Sequence, residues 1–258
     1  MITSTSNPKV KDVIRLRDKS SERRSRGLFI AEGRRMVEEV PEERVEALYV
    51  AESFNPDDWR GPSLALPCAE TVSDAVMAKM ADTVTPQGIL AVVRQERLTP
   101  KQLSKGGLIL MLERIQDPGN LGTIIRTAEA CGADGILCDG GTADLYSPKV
   151  VRSTMGALLR VPVAVTEDPA GTLQGLKESG YSVYAAHLQG SADYRKARWP
   201  EKTVLMIGNE ANGLSEELTA CADTRVIIPM QGRVESLNAS VAAALLMFEW
   251  RRCRDEAR

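Results

Sequence analysis

The sequence predicts an α/β fold in which a parallel sheet carries helices on both faces. From residue 108 onward, short apolar runs of strand length alternate with segments of helix length, which is the rhythm of consecutive βαβ units. The first unit comprises LILMLER (108–114), the helix LGTIIRTAEAC (121–131) and DGILCDG (134–140). In open α/β sheets ligands bind at the carboxyl ends of the strands, so the loops there are the first candidates for a site.

The remaining C-terminal elements follow the same alternation. We expect further strands at 161–165, 181–188, 203–208 and 224–229, and helices at 148–159 and 169–179. The last helix, SLNASVAAALLMFEWR (236–251), is apolar on almost every face before Glu249. Such a helix is typically buried in a core or between subunits.

A smaller α/β unit is expected over residues 1–95. Asn7 and Pro8 provide an N-cap and a first helical position for a basic helix over 7–26. After it we expect strands at 28–33, 45–52 and 88–95, and helices at 34–40 and 73–82. The polar segment ERLTPKQLSKGG (96–107) is the predicted linker to a domain spanning 108–258.

Composition excludes several classes of function. The chain of 258 residues contains one histidine, His187, so no His-ligated metal cluster is expected and a Ser-His-Asp triad has little support. Its five cysteines are dispersed without a CxxC pair, which predicts reduced thiols in a cytoplasmic protein. No apolar run reaches about 18 residues, so no membrane span is expected. The first residues, MITSTSNPKVKDV, contain no apolar stretch, so a secretory signal is not expected either.

The net charge of −2 conceals an uneven distribution. Residues 1–35 contain ten Lys or Arg against four Asp or Glu, a net charge of +6, whereas the other 223 residues carry −8. A basic segment on an acidic body predicts a polyanionic partner, and a solvated helix face is the alternative.

Three segments place polar residues where a predicted strand ends. In 113–136, the turn Asp117-Pro-Gly-Asn120 leads into a helix whose free N–H groups could face an anion, with Arg126 further along. In 204–218, a strand ends in Gly208-Asn209-Glu210, where glycine would permit close backbone approach to a ligand. In 226–250, polar residues precede the apolar helix and need partners. Each segment also has a purely structural interpretation as a capped turn.

Taken in order and spacing, these segments resemble the motifs of the SpoU/TrmH branch of the SPOUT RNA methyltransferases. The resemblance covers 108–252, and residues 1–95 resemble the L30e-like substrate-binding domain of the ribosomal RNA members. It implies methyl transfer from S-adenosylmethionine to a ribose 2′-OH of RNA. It also implies a trefoil knot in the C-terminal domain and a homodimer packed through it.

The resemblance assigns roles residue by residue. It implies catalytic roles for Asn120, Arg126, Glu210, Ser236 and Asn238. It implies cofactor binding by Gly208, Asn209, Glu210, Ile228, Pro229, Met230 and Leu237. Ala211 departs from the glycine usual after Glu210, which bears on loop geometry and cofactor affinity.

Proton handling at the ribose has two interpretations. The family's proposed base corresponds to Arg126, but a guanidinium is almost permanently charged, so stabilisation of the developing alkoxide is equally compatible. His187 lies outside the motifs and is assigned to structure. Phosphate contacts are expected from the basic residues Lys9, Lys11, Arg23, Arg24 and Arg26.

Three alternatives are compatible with parts of the sequence. A transfer RNA methyltransferase would share the same motifs, and the separate N-terminal domain favours ribosomal RNA over it. A catalytically silent RNA- or ribosome-binding protein would have lost motif residues that are present here. A nucleotide-dependent oxidoreductase would need a Gly-rich phosphate loop that the sequence lacks.

Overall fold

The computed structural model describes residues 1–189, 192–209 and 211–256. The described helices are α1 (Pro8–Asp18), α2 (Ser20–Arg26), α3 (Arg34–Glu38), α4 (Asp74–Met80), α5 (Pro118–Cys131), α6 (Pro148–Ser153), α7 (Pro169–Glu178), α8 (Glu216–Ala220) and α9 (Ala239–Glu256). The described strands are β1 (Leu28–Glu32), β2 (Val45–Ala51), β3 (Ala69–Val72), β4 (Ile89–Arg94), β5 (Leu108–Leu112), β6 (Gly135–Asp139), β7 (Val163–Thr166), β8 (Ser182–Ala186), β9 (Ala192–Asp193), β10 (Thr203–Ile207) and β11 (Thr224–Ile227).

The chain divides into two compact units. The first comprises Met1–Glu96 and Asp144–Leu159, and the second comprises Arg97–Ala143 and the chain from Arg160 onward. The chain first passes from one unit to the other between Glu96 and Arg97, at the start of the predicted linker 96–107. The sequence-based division, however, placed 144–159 in the second domain, and the structure groups this segment with the first unit.

Packing explains why Asp144–Leu159 joins the first unit. The Tyr146 ring lies 4.9 Å from that of Phe29 on β1, and Val150 and Val151 of α6 are buried. Asp144 forms an ion pair with Arg23. Periodicity shows that such a segment has an apolar face, but not which unit that face covers.

The first unit is a four-stranded sheet of order β1-β4-β2-β3 with helices packed on it. β4 pairs antiparallel with β1 and with β2, while β2 and β3 are parallel. The predicted single helix over 7–26 is two helices, because Lys19 between α1 and α2 has an extended backbone. The short strand β3 was not predicted, since AETV carries only one fully buried residue.

The second unit is built on a seven-stranded sheet of order β7-β6-β5-β10-β8-β11-β9. All its strand pairs are parallel, and β5 and β10 are buried at every position. Leu112 pairs with Ile207 and with Cys138, so the carboxyl ends of β5, β10 and β6 lie level at one edge. The predicted α/β class with a helix-covered parallel sheet is confirmed.

Two helices of this unit begin elsewhere than predicted. α5 begins at Pro118 rather than 121, because the Asp117 side chain accepts from the Asn120 N–H and caps it. α9 begins at Ala239 rather than 236. Its buried residues lie on one side, whereas Val241, Leu245 and Phe248 are 47%, 39% and 49% exposed.

No helix in the described part of the chain combines the length and the hydropathy that a membrane-spanning segment needs. In the same residues, no group of three or more histidine, cysteine, aspartate and glutamate side chains is arranged to hold a metal ion.

Candidate active site

The loops after three neighbouring strands enclose a cavity of about 480 Å³ at the carboxyl edge of the seven-stranded sheet. The strands are β8, β10 and β11, and the beginning of α9 completes the wall. Small-molecule sites typically measure roughly 300–1,000 Å³ and are mainly apolar with a few polar groups. Of the predicted site residues, those in the wall are Gly208, Asn209, Ile228, Met230, Ser236 and Leu237.

The second motif forms a tight turn after β10. A Cβ atom at position 208 would lie 2.2 Å from the Gly213 carbonyl carbon and 2.3 Å from the Leu214 nitrogen. The sequence predicted that Gly208 lets a ligand approach the backbone. The structure shows that the chain itself also approaches Gly208 closely, so glycine is required for the turn to close on Gly213.

Asn209 ties this turn to the end of β5. Its Oδ1 accepts from the N–H groups of Ala211 and Asn212, at 2.9 and 3.1 Å. Its Nδ2 donates to the carbonyl of Arg114 at 2.9 Å. One side chain thereby fixes two of the loops at this edge, and Ala211 itself lines the cavity. Glu210, predicted to act in both catalysis and cofactor binding, lies outside the described residues.

Asn238 joins the third motif to the first. Its Oδ1 accepts from the Ser240 and Val241 N–H groups, at 2.9 and 3.3 Å, and thereby caps α9. Its Nδ2 donates to Asn120 Oδ1 at 2.9 Å. The Asn238 side chain therefore both caps α9 and contacts Asn120, which lies 118 positions earlier in the sequence.

Arg126 lies two turns into α5, and its side chain is exposed. Within the described residues no hydrogen bond or ion pair engages its guanidinium. Pro229 is half-buried and is not part of the described cavity wall. The structure therefore brings most of the predicted cofactor residues together and leaves Arg126 available at the surface of the same unit.

His187 is a cavity residue that the sequence analysis assigned to structure. It follows β8 and lies in the wall with Leu188 and Gln189. Its Nδ1 accepts from the Gln189 N–H at 3.0 Å, so a neutral imidazole carries its proton on Nε2. The available signal was its position directly after a strand at the sheet edge where ligands bind.

Arg23 was predicted to contact phosphate, and the structure contradicts this. The residue is 5% exposed. Its guanidinium donates to Asp144 Oδ2 at 2.7 and 2.9 Å and to the carbonyls of Leu16 and Arg17 at 2.6 and 2.7 Å. With its donors used inside the first unit, Arg23 holds α1, α2 and the 144–159 segment together.

The other predicted phosphate-binding residues are all exposed. Lys9 pairs with Glu70, and Arg26 pairs with Asp12 at 2.8 Å. Lys11 and Arg24 lie on the solvent sides of α1 and α2. The segment is therefore not a flexible arm, because Val10, Val13 and Leu16 bury one face of α1 in the core.

The family model of the SpoU rRNA Methylase family matches residues 107–248, more than half of the chain. The chain belongs to the SpoU rRNA methylase family. It is accordingly an RNA methyltransferase, and the predicted family and enzyme class are confirmed. A second model, the MRM3-like substrate binding domain, matches residues 7–91.

Several similar proteins match nearly the whole chain. The chain is 36% identical to the 23S rRNA (guanosine(2553)-2′-O)-methyltransferase RlmP of Bacillus subtilis, over 97% of this chain and 98% of the relative. The SpoU methyltransferase AviRb from Streptomyces viridochromogenes matches with a TM-score of 0.87 and 27% identity, over 98% of this chain and 99% of that one. An AdoMet-bound rRNA methyltransferase from Sinorhizobium meliloti has a TM-score of 0.84 and 33% identity, over 97% of both chains.

A transfer RNA enzyme matches less of the chain. The TrmH/SpoU tRNA-modifying enzyme of A. aeolicus has a TM-score of 0.54 and 28% identity, and it covers 61% of this chain and 80% of its own.

Proposed function

We propose that this SpoU family member transfers the methyl group of S-adenosylmethionine to a ribose 2′-OH of ribosomal RNA. The observation that carries the proposal is the convergence of the three motifs, in which Asn238 contacts Asn120 beside the cavity formed by the loops after β8, β10 and β11. The relative RlmP is named for this reaction on 23S rRNA.

The cavity fits the cofactor in size and in chemistry. Apolar residues such as Ile228, Leu237 and Leu246 can hold an adenosine, while His187 and Asn209 offer polar groups in the same wall. When bound there, S-adenosylmethionine supplies a methyl group that its sulfonium already activates. The structurally similar rRNA methyltransferase from S. meliloti contains bound AdoMet.

Arg126 provides the charge that the reaction needs. A ribose 2′-OH is a poor nucleophile, and negative charge would develop on its oxygen as its proton passes to solvent water. A guanidinium keeps its own proton near neutral pH, so Arg126 stabilises that oxygen electrostatically rather than acting as a base. Asn120, held by Asn238, positions the ribose beside it.

The first unit favours ribosomal RNA over transfer RNA. The rRNA methyltransferase relatives cover both units of this chain, whereas the tRNA-modifying enzyme covers 61% of it. The first unit matches a substrate-binding domain. Its exposed basic residues Lys9, Lys11, Arg24 and Arg26 supply phosphate contacts.

The same proposal includes a knotted C-terminal domain and a homodimer. The exposed residues Val241, Leu245 and Phe248 are spaced at i, i+4 and i+7 on α9, and such a stripe is a surface that a second copy would cover. Phe248→Glu is expected to shift the mass measured by light scattering from dimer to monomer. We also place the protein in the cytoplasm, where its five free cysteines remain reduced.

A tritiated-methyl transfer assay tests the substrate class. The enzyme, S-adenosyl[methyl-³H]methionine and unmodified transcripts of 23S rRNA or of tRNA are incubated separately. Label in 23S rRNA supports the proposal, label in tRNA alone supports the transfer RNA alternative, and RNA binding without label supports a silent RNA-binding protein.

A further inference from the structure

Arg114 has a backbone conformation that side chains rarely adopt. It lies between β5 and α5, in the connection Glu113–Asp117, and its φ is +52°. In this left-handed region the Cβ atom of an L-residue is crowded by its own backbone, a strain that glycine avoids. Strained positions that persist at the edge of a site are candidates for function.

Two backbone hydrogen bonds hold Arg114 in place. Its N–H donates to Asp139 Oδ1 at 2.9 Å, and its carbonyl accepts from Asn209 Nδ2 at 2.9 Å. Asn209 is part of the cavity wall. Asp139 and Asn209 therefore fix the backbone of Arg114. Through Asn209, Arg114 is hydrogen-bonded to a residue of the proposed cofactor site.

The side chain of Arg114 itself is exposed. No residue in the described ranges forms a hydrogen bond or an ion pair with its guanidinium, although Asp139 is close to its backbone. Its Cγ lies over Gly141, where an added Cβ atom would come within 2.9 Å of it. The neighbouring glycine thus leaves room for the stem of Arg114 to cross it toward solvent.

We propose that Arg114 binds a phosphate of the RNA and thereby positions the target ribose against Arg126. This rests on the proposed function. An exposed guanidinium matches phosphate geometry with paired N–H donors. A phosphate is favoured over the cofactor carboxylate, because Arg114 does not belong to the described wall of the cavity.

The substitution Arg114→Gly separates this role from a structural one. It removes the cation and relieves the strained backbone, so the thermal midpoint should stay the same or rise. The KM for 23S rRNA should increase about tenfold, as expected for one charged hydrogen bond. The slope of log KM against log salt should fall by roughly 0.7–0.9 for one lost phosphate contact.

Arg114→Lys is the matched control, since it keeps the charge on the same strained backbone. It should restore most of the RNA affinity and the salt dependence without a gain in stability. The dissociation constant for S-adenosylmethionine, measured by calorimetry, should be unchanged in both variants. Unchanged RNA kinetics in Arg114→Gly would overturn the inference, as would weaker cofactor binding in that variant. Failure of the wild-type enzyme to methylate RNA would instead refute the proposed function.

Discussion

The second unit and the basic helices of the first unit differ in what their arginines contact. In the second unit, Arg114 and Arg126 are exposed and make no side-chain hydrogen bond or ion pair with the described residues, while the amide of Asn209 fixes the loops beside the cavity. In α2, Arg23 is buried, and its guanidinium donates to Asp144 and to two backbone carbonyl groups of the same unit. Arg17 donates to the carbonyls of Met80 and Ala81 at the end of α4. Exposed arginines that could bind a substrate therefore differ from arginines whose hydrogen bonds stabilise the fold.

The largest effect is expected from Arg126→Ala. Loss of a group that stabilises developing charge typically costs about 10²–10³-fold in kcat, while the cavity wall remains intact. Single-turnover methyl transfer should fall by that amount, and the calorimetric affinity for S-adenosylmethionine should be retained. Arg160→Ala is the control. Arg160 forms an ion pair at 3.0 Å with Glu129, which lies on α5 together with Arg126. Near wild-type turnover in Arg126→Ala would remove Arg126 from the mechanism.

Arg23→Ala should affect the fold rather than the reaction. It leaves Asp144 Oδ2 and the carbonyl groups of Leu16 and Arg17 without the guanidinium that donates to them. Breaking a buried pair costs about 3–5 kcal/mol. Chemical denaturation should show this loss in the free energy of unfolding. The adjacent Arg24→Ala should stay within roughly 0.5 kcal/mol of wild type, as surface changes do. Equal stability of the two variants would show that Arg23 is not structural.

Asn238 allows the structural and the site roles of one side chain to be measured separately. Asn238→Ala removes the cap of α9 and should cost about 1 kcal/mol of stability. Asn238→Ser retains a capping oxygen but lacks the amide that donates to Asn120. We expect Asn238→Ser to remain nearly as stable as wild type while its kcat falls. Recovery of both properties by serine would show that the contact with Asn120 has no part in catalysis.

The smallest effect is expected from the exposed residues of the basic helices. Replacing Lys11 and Arg24 by alanine should weaken RNA binding modestly and lower the salt slope by roughly 0.7–0.9 for each lost contact. Filter binding at several salt concentrations measures this slope. Lys101→Ala with Lys105→Ala removes the same charge from exposed positions outside α1 and α2. A slope that falls equally in both pairs would show that α1 and α2 are not a specific contact surface.

The order of the elements and the location of the site could be predicted from the sequence. Apolar runs such as 108–114 and 203–208 are buried parallel strands because a sheet covered on both faces needs uninterrupted apolar residues. The motif residues met at one edge because carboxyl ends of parallel strands share that edge. The family motifs specify residue type, order and spacing together, which is why six of the proposed cofactor and catalytic residues lie in one cavity wall.

What the sequence could not show depends on long-range packing. A count of charges does not indicate that Arg23 points inward, since its partner Asp144 lies 121 positions away. The same contact determines that 144–159 joins the first unit. His187 was set aside because it stands outside the motifs, although the loop after β8 brings it into the cavity. The role of Gly208 depends on Gly213, whose backbone approaches only after the turn has formed.

The position of the transferred methyl group is the most direct test of the proposed reaction. 23S rRNA methylated by the wild-type enzyme is digested to nucleosides and examined by mass spectrometry, alongside RNA treated with Arg126→Ala. We expect a single 2′-O-methylated nucleoside with the wild-type enzyme and none above background with the variant. Methylation on a base, or the same 2′-O-methylated product from Arg126→Ala at the wild-type rate, would contradict this expectation.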